Sequence, residues 1–228
     1  MGAFFRMLDE FLRGRGRFAA AAPLAGRLPC LFAFVVAGGL LYGAVMGSFA
    51  ALAPGRAHQM LYSGLKVPML LLVTFGLCLP SFFVVNTLAG LRDDFGQALQ
   101  GVVGAQACVT LVLAGLAPLT AVFYLSSDDY PWAVLFNGIL FGVASLTAQI
   151  VVRRTYRPLI RRNRRHRLML YAWFLLYAFV GIQMGWVLRP FIGDPNSPVR
   201  FFREGAWGNA YVVVARLLLH AVYSLLRW

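Results

Sequence analysis

Five stretches of this sequence, 31–53, 67–89, 102–125, 132–152 and 168–188, contain no aspartate, glutamate, lysine or arginine. An α-helix rises about 1.5 Å per residue, so about 20 such residues cross the hydrocarbon core of a bilayer with every backbone hydrogen bond made inside the segment. A sixth run, 210–226, is shorter and carries Arg216 and His220, so it needs bundle neighbours to span. With 60% of its 228 residues hydrophobic and 13% charged, the chain has too little polar surface to coat a soluble globule. The fold class that follows is all-α, a polytopic transmembrane bundle of about six helices. The bundle occupies 28–228 and the remainder, 1–27, is a separate N-terminal segment.

Charge then orients the bundle. Lys and Arg number 21 against 8 Asp and Glu, an excess that in a soluble domain would point to nucleic acid. Here the cations border the apolar runs, so they read as topology signals and contacts for anionic lipid, with no nucleic-acid partner. Arg6, Arg13, Arg15, Arg17 and Arg27 precede the first run, Arg92 follows the second, eight arginines lie between 153 and 167, and Arg227 ends the chain. The other side holds only Arg56, Lys66, Arg189, Arg200 and Arg203. Positive charge collects on the cytoplasmic side, which places both termini there. The first run is too long for the core of a secretory signal and reads as a retained helix. Lys66 is the one lysine among these cations, and Ala and Gly are abundant, a bias of GC-rich bacterial coding, so the expected location is a bacterial inner membrane.

Phe4, Phe5, Leu8, Phe11 and Leu12 recur at helical spacing with Arg6, Asp9, Glu10 and Arg13 between them, which predicts a cytoplasmic amphipathic helix. It serves as an interfacial anchor or as a docking element. The arginine run is expected to form a loop that grips anionic headgroups through Arg153, Arg154, Arg157, Arg161 and Arg165, with Pro158 interrupting any helix. Gly39, Gly43 and Gly47 recur four apart, as do Gly138 and Gly142, and Gly181 and Gly185. Such faces let helix backbones approach closely, within one chain or against another subunit. Arg216 and His220 share a face that should point into the bundle or a partner, since a cation facing lipid is costly. Between the fifth and sixth runs, Arg189, Phe191, Phe201, Phe202 and Trp207 lie in a proline- and glycine-rich loop with too many aromatics for a simple connection. It either caps the bundle or presents a recognition surface.

All eight acids lie outside the apolar runs, so proton or cation coupling through an intramembrane carboxylate is not expected. No spacing of His, Cys, Asp or Glu matches a metal site, and no phosphate-binding loop or nucleophile elbow occurs, which predicts neither metal, cofactor nor catalytic residues. Cys30, Cys78 and Cys108 read as small apolar residues.

Pro80-Ser81-Phe82-Phe83, followed by the short segment from Gly90 to Gly101, resembles the helix-connection-helix layout of small bacterial Yip1-like membrane proteins. That likeness implies an accessory membrane protein without catalytic residues. The layout of an amphipathic N-terminal stretch from Phe4 to Arg13, a short cytoplasmic segment from Arg92 to Gln100 and an external stretch from Arg189 to Asn209 is also similar to ABC-2-type export permeases. This second likeness implies a dimer that works with a separate ATPase. The expected function is a non-enzymatic accessory or scaffold subunit of a membrane assembly, a homo-oligomer or one bound to other subunits. A permease subunit is the alternative.

Overall fold

The structure, a computed structural model, describes residues 9, 10, 13, 26, 28–51, 56–194, 197–203 and 205–212. Among them five helices follow one another: α1 (Leu28–Ala51), α2 (His58–Leu88), α3 (Phe95–Ser126), α4 (Tyr130–Arg162) and α5 (Arg165–Leu188). Each is long and apolar enough to cross a bilayer, so the chain is a multi-pass membrane protein with an all-α bundle. The sixth expected segment opens at 210–212, and the rest of it, Arg216 and His220 included, lies outside the described residues. The same holds for most of 1–27, where Asp9 and Arg13 form an ion pair one turn apart.

Local chemistry sets several of the helix ends. Asp129 accepts a hydrogen bond from the Trp132 backbone N–H at 3.1 Å, and Pro131 occupies the first turn of α4, where its missing N–H costs nothing. After α2, Gly90 takes the left-handed conformation at φ +73, and Leu91 N–H returns to the Asn86 carbonyl, closing the helix. Three helices outrun the apolar segments that announce them, α3 by starting at Phe95 instead of 102. α2 begins at His58 instead of 67, and α4 carries on through Arg153 to Arg162 instead of stopping at 152. The arginine run is therefore helix, which corrects the expected loop. Its continuation is stabilised by packing, since Tyr156 and Leu159 are buried and Thr155 and Tyr156 close on Gly101 of α3. Pro158 sits only one turn from the helix end, where few backbone bonds remain to be lost.

The helices form a curved row in the order α5, α2, α1, α3, α4. α1 sits in the middle because its glycines let two neighbours approach. A Cβ at Gly38 would lie 2.9 Å from the Thr110 carbonyl oxygen of α3, and one at Gly47 would lie 2.8 Å from the Gln59 carbonyl oxygen of α2. Buried polar side chains join an otherwise apolar core, and the exposed faces of the helices are apolar, as lipid requires. Gln59, Ser63, Lys66, Asn86, Thr110, Asn137 and His166 are buried, whereas Leu88 and Leu125 are each 83% exposed. At the two ends of the row, α4 and α5 touch only sparingly.

Candidate functional site

The end of the bundle opposite the arginines is closed by a polar cap. Gln59, Ser63 and Lys66 lie on one face of α2, at i, i+4 and i+7, and all three are fully buried. The loop after α5 folds back over them and offers backbone carbonyls. Lys66 Nζ donates to Pro190 O at 2.7 Å, the Ser63 hydroxyl donates to Phe191 O, and Arg56 donates to Asp194 O and Ser197 O. The Phe201 ring lies 5.0 Å from Lys66 Nζ and packs edge-on against Tyr62, so an ammonium at membrane depth is held by a carbonyl and a ring face.

Lys66, expected on the water side, thus belongs to α2. A charge beside an apolar run is naturally assigned to water, yet the helical spacing of Gln59, Ser63 and Lys66 was the signal that α2 starts earlier. Of the loop's aromatics, Phe191 and Phe201 are half-buried in the cap, while Phe202 is exposed and Trp207 is 81% exposed. The Arg189 guanidinium stacks 3.2 Å from the Trp186 ring centroid. Burial lowers the Arg189 pKa, and the neighbouring Arg203 cation acts in the same direction.

In the middle of the bundle α1, α3 and α4 share a closed hydrogen-bond chain. Tyr42 Oη donates to Asn137 Oδ1 at 2.7 Å, Asn137 Nδ2 donates to Tyr124 Oη at 2.7 Å, and Tyr124 Oη donates to Met46 O. Asn86 donates to Phe82 O on its own helix, and Gln183 binds Gly208 O and Ala210 N–H of the following segment.

Between α4 and α5 the interior opens into a groove of about 530 Å³. Leu70, Leu71 and Thr74 of α2 and Gln106 and Val109 of α3 form its floor. Phe141, Ser145, Gln149 and Val152 of α4 face Trp173, Tyr177, Ala178 and Ile182 of α5 across it. Tyr177 donates to Gln106 Oε1 at 2.7 Å. The hydroxyl of Thr74, which is 1% exposed, and Gln149 Oε1 find no hydrogen-bond partner among the described residues. A smaller hollow of about 240 Å³, bounded by Val134, Gly138, Phe141 and Ile192, continues the groove toward the cap. Thr74 and Tyr177 carried no sequence signal, because isolated polar residues in an apolar run give no clue to their neighbours.

At the arginine end, Asp94 ties two connections together. Its carboxylate lies 3.0 Å from Arg162 and 3.1 Å from Nε2 of the buried His166, while Arg165 donates to Ala89 O. Arg153, Arg154, Arg157 and Arg161 of α4 and Arg165 of α5 are all exposed. Gly43 and Gly47 face Ser63 and Gln59 of α2, and Gly39 faces Pro68. By contrast, a Cβ at Gly138, Gly142 or Gly185 would meet nothing within 4 Å among the described residues. No three His, Cys, Asp or Glu side chains converge among the described residues. Comparison with protein-family models, with curated proteins and with solved structures returns no match for this chain.

Proposed function

We propose that this chain is a non-enzymatic subunit of a bacterial inner-membrane assembly, oriented with its arginine-rich end in the cytoplasm. The observation that carries the reading is the face of α4 that borders the opening between α4 and α5 and carries Gly138 and Gly142. Gly138 and Gly142 are one turn apart and open, whereas the glycines of α1 are used up by α2 and α3. Two helix backbones gain dispersion contacts from such a face only if a further transmembrane helix lies against it. Of the other polar groups at membrane depth, Asn137 joins three helices and Asn86 donates to its own backbone, while Thr74 and Gln149 stand singly without partners among the described residues. A polar route through the chain is not what these residues build, which favours an accessory subunit over a permease. One feature favours the permease alternative: Arg92 and Asp93 are exposed on a connection held rigidly by Asp94, as a coupling segment for an ATPase would be.

Purification of the tagged chain from its native membrane in mild detergent tests this. A stoichiometric membrane partner, or a second copy, should accompany the unaltered chain and be lost from the Gly138→Leu/Gly142→Leu variant, whose own bundle stays folded. Recovery of the unaltered chain alone overturns the reading, and recovery of a stoichiometric ATPase transfers support to the permease.

A further inference from the structure

The polar cap encloses a hollow whose walls are polar and charged. It measures about 230 Å³ and is bounded by Gln59 of α2 and by Gly193, Asp194, Ser197, Arg200 and Arg203 of the loop after α5. Liquid water takes about 30 Å³ per molecule, so the space suits about eight waters or one small polar solute. The loop that forms its wall is fastened to α2 and to Arg56 before it. Arg56 donates to Asp194 O and Ser197 O, Lys66 to Pro190 O and Ser63 to Phe191 O. A wall held in this way spares an occupant the cost of ordering it.

Gln59 supplies an acceptor. Its amide nitrogen donates to Ser63 Oγ at 2.9 Å and to Phe191 O at 3.4 Å, neither of which borders the hollow. That leaves Oε1 for the hollow. The residue is fully buried, and Oε1 has no hydrogen-bond partner among the described residues. A buried amide oxygen without a donor is costly, so an occupant that brings a donor is favoured there.

Arg200 and Arg203 set the charge of that occupant. Both border the hollow and are exposed. Residues 56–66 and 189–209 together carry Arg56, Lys66, Arg189, Arg200 and Arg203 against Asp194 and Glu204. The Asp194 carboxylate accepts from the Ser197 hydroxyl at 2.8 Å, which ties one of its oxygens to the loop itself. Arg203 already disfavours the charge of Arg189, a repulsion that a bound anion relieves. α2 starts at His58, beside Gln59, so the positive end of its dipole adds to this field. Two guanidinium groups in a positive field suit a phosphate, with its several charged oxygens, better than a carboxylate. The same field disfavours an ammonium, so the donor for Gln59 is a hydroxyl.

We propose that the hollow binds a small hydroxyl-bearing phosphate ester, its phosphate on Arg200 and Arg203 and its hydroxyl donating to Gln59 Oε1. Such a group comes from a free solute or from a phospholipid headgroup. The test is calorimetric titration of the full chain in neutral maltoside micelles with three probes: glycerol 3-phosphate, methyl phosphate, which lacks the hydroxyl, and glycerol, which lacks the phosphate.

Glycerol 3-phosphate should bind at one per chain, methyl phosphate about tenfold more weakly and glycerol not at all. Arg200→Gln/Arg203→Gln, altering only exposed side chains, should weaken both phosphates about a hundredfold. Gln59→Met should bring glycerol 3-phosphate down to the affinity of methyl phosphate and leave methyl phosphate unchanged, a split that general damage to the cap would not produce. Absence of saturable binding to the unaltered chain overturns the proposal. So does methyl phosphate that binds as tightly as glycerol 3-phosphate, binding that survives the loss of both arginines, or glycerol 3-phosphate affinity unchanged in Gln59→Met. Repeating the titration in phosphatidylcholine nanodiscs with equal amounts of either phosphatidylserine or phosphatidylglycerol separates the two sources at equal charge. Weaker binding in phosphatidylglycerol supports a competing headgroup as the natural occupant, and equal binding supports a free solute.

Discussion

Where α1 crosses α2, a Cβ added at Gly47 would lie 2.8 Å from the Gln59 carbonyl oxygen; on α4, one added at Gly138 or Gly142 would meet nothing within 4 Å among the described residues. The same four-residue glycine spacing serves a closed seam in one place and an open face in the other. Polar groups divide in the same way. The chain Tyr42–Asn137–Tyr124 that binds α1, α3 and α4 is fully hydrogen-bonded, whereas the α4–α5 groove holds Thr74 Oγ1 and Gln149 Oε1 without partners among the described residues. In lipid no hydrophobic force distinguishes a helix face that meets another helix from one that meets an acyl chain. Close contact and hydrogen-bond satisfaction distinguish them, and both can be tested by substitution.

The largest difference is expected from a single side chain placed in each region. In Gly43→Leu the new Cβ overlaps the Ser63 carbonyl and the Gly64 backbone, neither of which can yield without parting the helices. That overpacking should cost about 3 kcal/mol. Gly142→Leu should stay within about 0.5 kcal/mol of the unaltered chain. Unfolding in mixed detergent micelles, followed by tryptophan fluorescence, measures both. Equal tolerance would dissolve the distinction between the two seams.

Asn137→Leu comes next. It takes from the Tyr42 hydroxyl its Asn137 acceptor, leaving the hydrogen bond with Thr120, and leaves Tyr124 with one partner fewer. A loss of about 1–2 kcal/mol is expected from the same unfolding measurement. A neutral result would mean that the three-helix chain contributes no net stability, and that the closed side of the bundle rests on glycine contacts alone.

Much of this architecture was legible before any coordinates. Charge-free runs required membrane helices, and the Gly39, Gly43 and Gly47 spacing marked a face suited to close approach. The polar cap was not legible. Lys66 borders an apolar run and is assigned to water by composition, while its partner is the carbonyl of Pro190, 124 residues away. The order α5, α2, α1, α3, α4 was equally hidden. A helix that is apolar on every side has no amphipathic stripe to show which neighbour it meets, so neither the sequence of contacts nor the gap between its ends could be read from spacing. The arginine run misled because charge density spoke for a loop, although the buried Val152, Tyr156 and Leu159 recur at i, i+4 and i+7 and continue the core face of α4.

The smallest effect has the opposite sign and probes the groove most directly. Thr74 is 1% exposed and its hydroxyl has no partner among the described residues, so the folded state carries the cost of desolvating that group with no bond in return. Thr74→Val keeps the shape and removes the hydroxyl, and should stabilise the chain by up to about 1 kcal/mol. Asn137→Leu, the same kind of polar-to-apolar change on the closed side, should do the reverse. If Thr74→Val is destabilising instead, its hydroxyl is bonded within the membrane-embedded chain, and the floor of the groove is a polar contact.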